Sequence, residues 1–125
     1  MSTLKVNTIQ NTSGGSSSTP EEIRSGRAQV WVNLEGVGAV SIHDSYNVSS
    51  VTDTATGVYK VNFSITMANA NFAAVNGGAH RDTTASYDTF ITTNDFTTTS
   101  CVVMSALPSG ESDADPVIVA VFGDI

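Results

Sequence analysis

Along residues 28–66 apolar and polar side chains alternate. In Ala28-Gln29-Val30-Trp31-Val32-Asn33-Leu34 the even positions are apolar, with Gln29 and Asn33 between them. In Val58 to Thr66 the odd positions Tyr59, Val61, Phe63 and Ile65 are apolar, and Lys60, Asn62, Ser64 and Thr66 are polar. A period of two marks a strand with one buried face and one wet face. Between these runs lie a turn at Glu35-Gly36, a return strand from Val37 to His43, a short run Val48 to Val51, and a turn from Asp53 to Gly57. The pattern predicts a β-meander.

The second half continues in the same style. Phe72 to Asn76 is a short strand closed by Gly77-Gly78, and residues 79–95 read as a long loop or weakly paired hairpin. Phe96 to Leu107 returns to strand after a Thr97-Thr98-Thr99 lead, and Pro108 to Pro116 reads as an acidic exposed loop. Val117 to Phe122 is apolar on both faces, so that strand must be central to a sandwich or covered by a neighbouring subunit. The expectation is an all-β fold: one antiparallel β-sandwich or jelly-roll-like domain over residues 28–125, with about seven to nine strands. Association would help so small a domain, and a homo-oligomer is favoured, a trimer first. Trp31, on the polar side of its strand, is expected at a subunit contact with Val119, Val121 and Phe122. Tyr46, Tyr87 and Asp113 are the expected exposed tips.

Residues 1–27 are different. Leu4, Val6 and Ile9 offer one short extended segment, followed by Asn11 to Thr19, a Gly/Ser-rich tract with no apolar anchor. Such a tract is flexible and cannot fold alone. Thr19-Pro20-Glu21-Glu22 then spells a helix start: Thr19 can cap, Pro20 suits the first helical position, and Glu22 can close a capping box. Gly26 ends the turn. The segment is expected to be an extended N-terminal arm, a linker and one short helical turn, with Leu4, Val6 and Ile9 as docking residues.

Charge changes the picture by exclusion. Five Lys and Arg against twelve Asp and Glu give a formal net charge of -7, the wrong sign for a nucleic-acid surface. No apolar run approaches the roughly 18 residues of a membrane span, so no membrane insertion is expected. Met1 to Lys5 lacks a hydrophobic signal core. Cys101, the one cysteine, sits in an apolar run and reads as a small buried hydrophobe. His80-Arg81-Asp82 spells the kinase catalytic triplet without the other kinase motifs, and is assigned to chance. His43-Asp44 resembles half of a base–orienter pair but has no nucleophile to serve. Glu111, Asp113 and Asp115 alternate as hard-cation ligands do, without the EF-hand glycine or bidentate glutamate, so a solvated loop is favoured over calcium. No enzyme, cofactor or metal is expected.

Two stretches together carry a resemblance. Ser2-Thr3-Leu4-Lys5-Val6-Asn7-Thr8-Ile9-Gln10-Asn11-Thr12-Ser13-Gly14-Gly15 resembles the opening segment of structural proteins from marine tailed bacteriophages, those of cyanobacteria and pelagic bacteria. Ser18 to Ile23, Gly26-Arg27-Ala28, Trp31-Val32-Asn33, Gly36, Gly38, Asn47 to Asp53 and Gly57 to Phe63 resemble the tail-fibre-like domain of the same phages. The resemblance implies a virion structural protein without catalytic residues, located in the virion and bound to other tail or capsid proteins, with a host-surface glycan or receptor as a further partner. One departure matters: long fibres carry a shaft or repeats between arm and tip, and here the tip follows almost directly. A short tail fibre is therefore expected, with a capsid decoration or head fibre as alternative and a carbohydrate-binding module as second alternative.

Overall fold

The computed structural model describes residues 1–78 and 90–125. Among the described residues strands make up 53% and helix 5%, and every strand pair among them is antiparallel. The fold is all-β. His80-Arg81-Asp82 and Tyr87 lie outside the described residues.

At the N-terminus β1 (Ile9–Gln10) pairs with β2 (Ser17–Ser18), and α1 (Pro20–Ser25) follows. Two larger sheets hold the rest. One contains β3 (Val30–Glu35), β4 (Ser41–Tyr46), β7 (Ala73–Gly78) and β11 (Val117–Phe122), in the order β4-β3-β11-β7. The other contains β5 (Val48–Ala55), β6 (Val58–Phe63), β8 (Phe90–Thr97), β9 (Ser100–Leu107) and the short β10 (Gly110–Glu111). There β9 is central, with β8 on one edge and β6 and β10 in line along the other.

The alternating residues form the core as their spacing predicts. Val30, Val32, Leu34, Val117, Val119 and Val121 from the first sheet join Tyr59, Val61, Phe63, Cys101 and Val103 from the second in one buried cluster. Each such aliphatic side chain contributes about 1.5–3 kcal/mol by leaving water. Phe72 closes one end, edge-to-face against Phe63 and Phe96 with ring centroids 5.9 and 5.0 Å away.

Four sequence expectations are corrected. The run from residue 28 to 66 is not a continuous meander, because β3 pairs with β4 in one sheet and β5 with β6 in the other. The chain changes sheets at Asn47, whose φ of 56° is left-handed. Its Nδ2 donates to the Gln29 carbonyl at 2.7 Å, and its own carbonyl accepts from the Ser64 amide at 2.9 Å. Asparagine tolerates that backbone better than most residues. Thr98-Thr99 is a hairpin turn rather than part of a lead, because Phe90–Thr97 forms β8, a strand with no buried residue whose threonines suit a pleated surface. Ser17–Ser18 pairs with the first strand, so the Gly/Ser tract is partly a hairpin. Finally, Val119 and Val121 are fully buried among the chain's own residues and unavailable to a second subunit. β11 is central in its sheet, so one apolar face is spent internally.

Candidate docking surface

The acidic loop comes first, because its carboxylates are the nearest thing to a polar site. Asp113 Oδ1 accepts from the Gly57 amide at 2.7 Å and lies 3.0 Å from the Tyr59 hydroxyl. Burial, then the neighbouring Asp113, pushes the Tyr59 phenol up to about 12. Asp115 is buried and faces His43, with Nε2 2.9 Å from Oδ1. The expected exposed tip at Asp113 is therefore a half-buried anchor, and the expected solvated loop is fastened at Asp113, Ala114 and Asp115. His43 pairs with Asp115 rather than Asp44, whose carboxylate accepts from the Ser45 amide at 2.8 Å. The register explains this: β4 skips from Asp44 to Ile42 opposite Asn33 and Leu34, leaving His43 as the extra residue of a bulge.

These groups do not converge on a cation. Among the described residues no three His, Cys, Asp or Glu side chains stand where they could share a metal ion. Cys101 is buried, and burial alone pushes its thiol up to about 12. Tyr46 is exposed, but on strand β4 opposite Trp31 rather than on a loop tip. Trp31 is half-buried on the outer side of β3, and Phe122 half-buried on the same side of β11.

The N-terminal segment is built differently. Asn11 closes the β1–β2 turn: its carboxamide oxygen accepts from the Ser13 hydroxyl at 3.0 Å and the Gly15 amide at 2.9 Å. Gly14 supplies the left-handed residue of this turn, with φ of 72°. The helix then starts on the predicted capping box. The Glu22 amide donates to Thr19 Oγ1 at 3.2 Å, and the Thr19 amide donates to Glu22 Oε2 at 2.7 Å. Hydrogen bonds from the Thr19 amide and the Thr19 hydroxyl hold the Glu22 carboxyl below its ordinary range, and the Arg24 guanidinium does the same for Glu21.

So short a helix needs outside support, and polar groups supply it. Gln29, fully buried, donates from Nε2 to the Arg24 carbonyl at 2.6 Å. Arg24 Nη2 reaches Asp124 Oδ1 at 3.2 Å near the C-terminus. No helix residue is buried. The sequence placed Gln29 in the first strand; the strand begins at Val30, and Gln29 is the joint between helix and sheet.

Apolar side chains remain uncovered here, beside the polar Lys5 and Asn7. Leu4 is 83% exposed and Ile9 55%. Val6 and Ile23 are exposed too. Leu4, Val6 and Ile9 line an open groove of about 550 Å³ together with Pro20 and Ile23. Hairpin and helix thus bring the three expected docking residues together on one surface, and add Ile23, which sequence reasoning treated as a helix residue alone. Comparison with known proteins returns no match to any family model, curated protein or solved structure.

Proposed function

We propose that this chain is a bacteriophage virion structural protein, a short tail-fibre or spike-like component. In this reading residues 1–27 are an arm that docks on other virion proteins, and residues 28–125 are a β-sandwich domain projected outward, in association with copies of itself. The outward domain would meet the host surface. The role requires no turnover. The observation that carries it is the N-terminal surface: Leu4, Val6, Ile9 and Ile23 are exposed around one groove and contribute nothing to the core. An apolar surface of that kind on a folded chain marks an interaction site. The single core drawn from both larger sheets supports the sandwich, and the opening segment's likeness to marine phage structural proteins supports the virion.

Gold-labelled antibody against the chain on intact virions, imaged by electron microscopy, tests the reading. Label confined to the tail supports a short fibre. Label over the head favours the alternative, a capsid decoration or head fibre. Virions without label would overturn both. A carbohydrate-binding module, the second reading, is favoured by Tyr46 standing opposite Trp31 on an outer face, since adjacent aromatics can stack on sugar rings. Glycan binding lost on Trp31→Ala would establish it.

A further inference from the structure

The outer face of the β4-β3-β11-β7 sheet brings two aromatic rings and two polar side chains together. The register sets Tyr46 opposite Trp31 and, two residues along each strand, Asp44 opposite Asn33. Opposed residues of this kind hold their Cβ atoms about 4.5–5.5 Å apart. Tyr46 and Asp44 are exposed, and Trp31 and Asn33 half-buried. On its other side Trp31 has only the small Ala120 as neighbour. We infer that Trp31, Tyr46, Asn33 and Asp44 form a binding site for a neutral glycan. The inference rests on the outward, host-facing role proposed above for the β domain, and names what that domain holds.

Each of the four has capacity that the fold leaves unused. Among the described residues no hydrogen bond engages the Trp31 indole or the Tyr46 hydroxyl, and neither ring stacks on another. Asn33 Oδ1 is shielded from water and has no donor. Turning that carboxamide toward a ligand therefore gives up no bond within the chain. Asp44 spends one carboxylate oxygen on the Ser45 amide, at 2.8 Å, and keeps the other.

Chemistry selects the ligand. Aromatic rings take the C–H side of a sugar ring, and the oxygens beside them accept from its hydroxyls. The charges on this face are Asp44 and Glu35, both negative, and no Lys or Arg lies on the four strands. An acidic sugar is repelled there, so the glycan is neutral. A compact cation would suit the carboxylates but binds best between rings that enclose it, and Trp31 and Tyr46 stand side by side on an open sheet. A protein partner would have to bury carboxylates that nothing on this face neutralises. So open a site holds a glycan weakly in one copy, and several copies on one particle raise the avidity.

A printed array of neutral and acidic glycans, probed with the full chain displayed in many copies on fluorescent beads, tests this. The beads should bind neutral glycans and pass over the acidic ones. Titrating the free chain with a glycan so identified should change the emission of Trp31, the one tryptophan, and calorimetry gives the dissociation constant. Tyr46→Ala, at an exposed position and so compatible with folding, should raise that constant at least about tenfold, as should Trp31→Ala. Asp44→Asn keeps an acceptor without its charge and should weaken binding by about two- to fivefold. Thr92→Ala, exposed on β8 of the other sheet, should leave it unchanged. An array without a bound neutral glycan overturns the inference, as does binding that survives both Tyr46→Ala and Trp31→Ala. Antibody labelling of virions reads the particle role separately. Labelled tails with a silent array strike this site alone, and glycan binding by a chain absent from virions strikes the virion role alone.

Discussion

The Tyr59 hydroxyl stands 3.0 Å from Asp113 Oδ1 and 3.2 Å from the Gly36 carbonyl oxygen. One core residue thus ties together the β3–β4 connection, the β5–β6 hairpin and the acidic loop, since Asp113 also accepts from the Gly57 amide. Tyr59→Phe should leave that half-buried carboxylate short of a donor and lower stability by about 1–3 kcal/mol. Urea unfolding measures the loss. An unchanged midpoint would mean that water replaces the hydroxyl at no cost.

The same knot predicts unequal glycines. A Cβ on Gly36 would lie 2.2 Å from Tyr59 Oη and 2.8 Å from the Ala114 carbonyl oxygen, whereas one on Gly38 would meet nothing within 4 Å. Gly38 has a φ of 75°, so alanine there carries backbone strain alone, about 1 kcal/mol. Gly36→Ala should cost about 1–3 kcal/mol in overpacking and shift the loop as well. Thermal melts of the two variants should rank Gly36→Ala as the less stable.

Asn47 is the point where the chain passes between sheets, and it is held by a left-handed backbone and a hydrogen bond to Gln29. Asn47→Ala should destabilise by about 1–3 kcal/mol, from the lost bond and the strained φ. Asn47→Gly should recover the backbone part, so its urea midpoint should fall between alanine and wild type.

Alkaline pH should weaken the fold in a defined window. Cys101 is raised from 9.0, and Tyr59 from 10.0, each to about 12, chiefly by burial. Between those limits the unfolded chain releases protons that the folded chain keeps, so stability falls as pH rises. Below pH 9 neither group contributes a slope. Within its window each group removes about 1.4 kcal/mol per pH unit. Urea midpoints taken as a pH series should show the fall, and Cys101→Ala should flatten its first part, from 9.0 to 10.0.

Much of the fold was legible because its signals are local. The alternation in β3 and β6 named the core side of each strand, and Thr19-Pro20-Glu21-Glu22 named the helix start. The rest depends on distant partners. Nothing near Gln29 says that it will be buried under the helix it supports. Val117 to Phe122 show that β11 is apolar on both sides, but not that the Val119 and Val121 side is the one the second sheet covers. The Glu111–Asp115 spacing looks solvated until Tyr59, Gly57 and His43 arrive from elsewhere. Of the candidate docking residues, Leu4, Val6 and Ile9 stood out as apolar positions in a polar segment. Ile23 did not, because its place beside them depends on a hairpin with almost no sequence signal.

The central claim is that residues 1–27 attach a separately folded β domain to a larger particle. Its most direct test is a chain lacking residues 1–15, expressed beside the assembling virions, with incorporation measured by quantitative mass spectrometry of purified particles. The account predicts a domain whose melting is close to wild type, since none of the removed residues is buried, and incorporation reduced to background. A folded domain that enters particles as well as the full chain would contradict it.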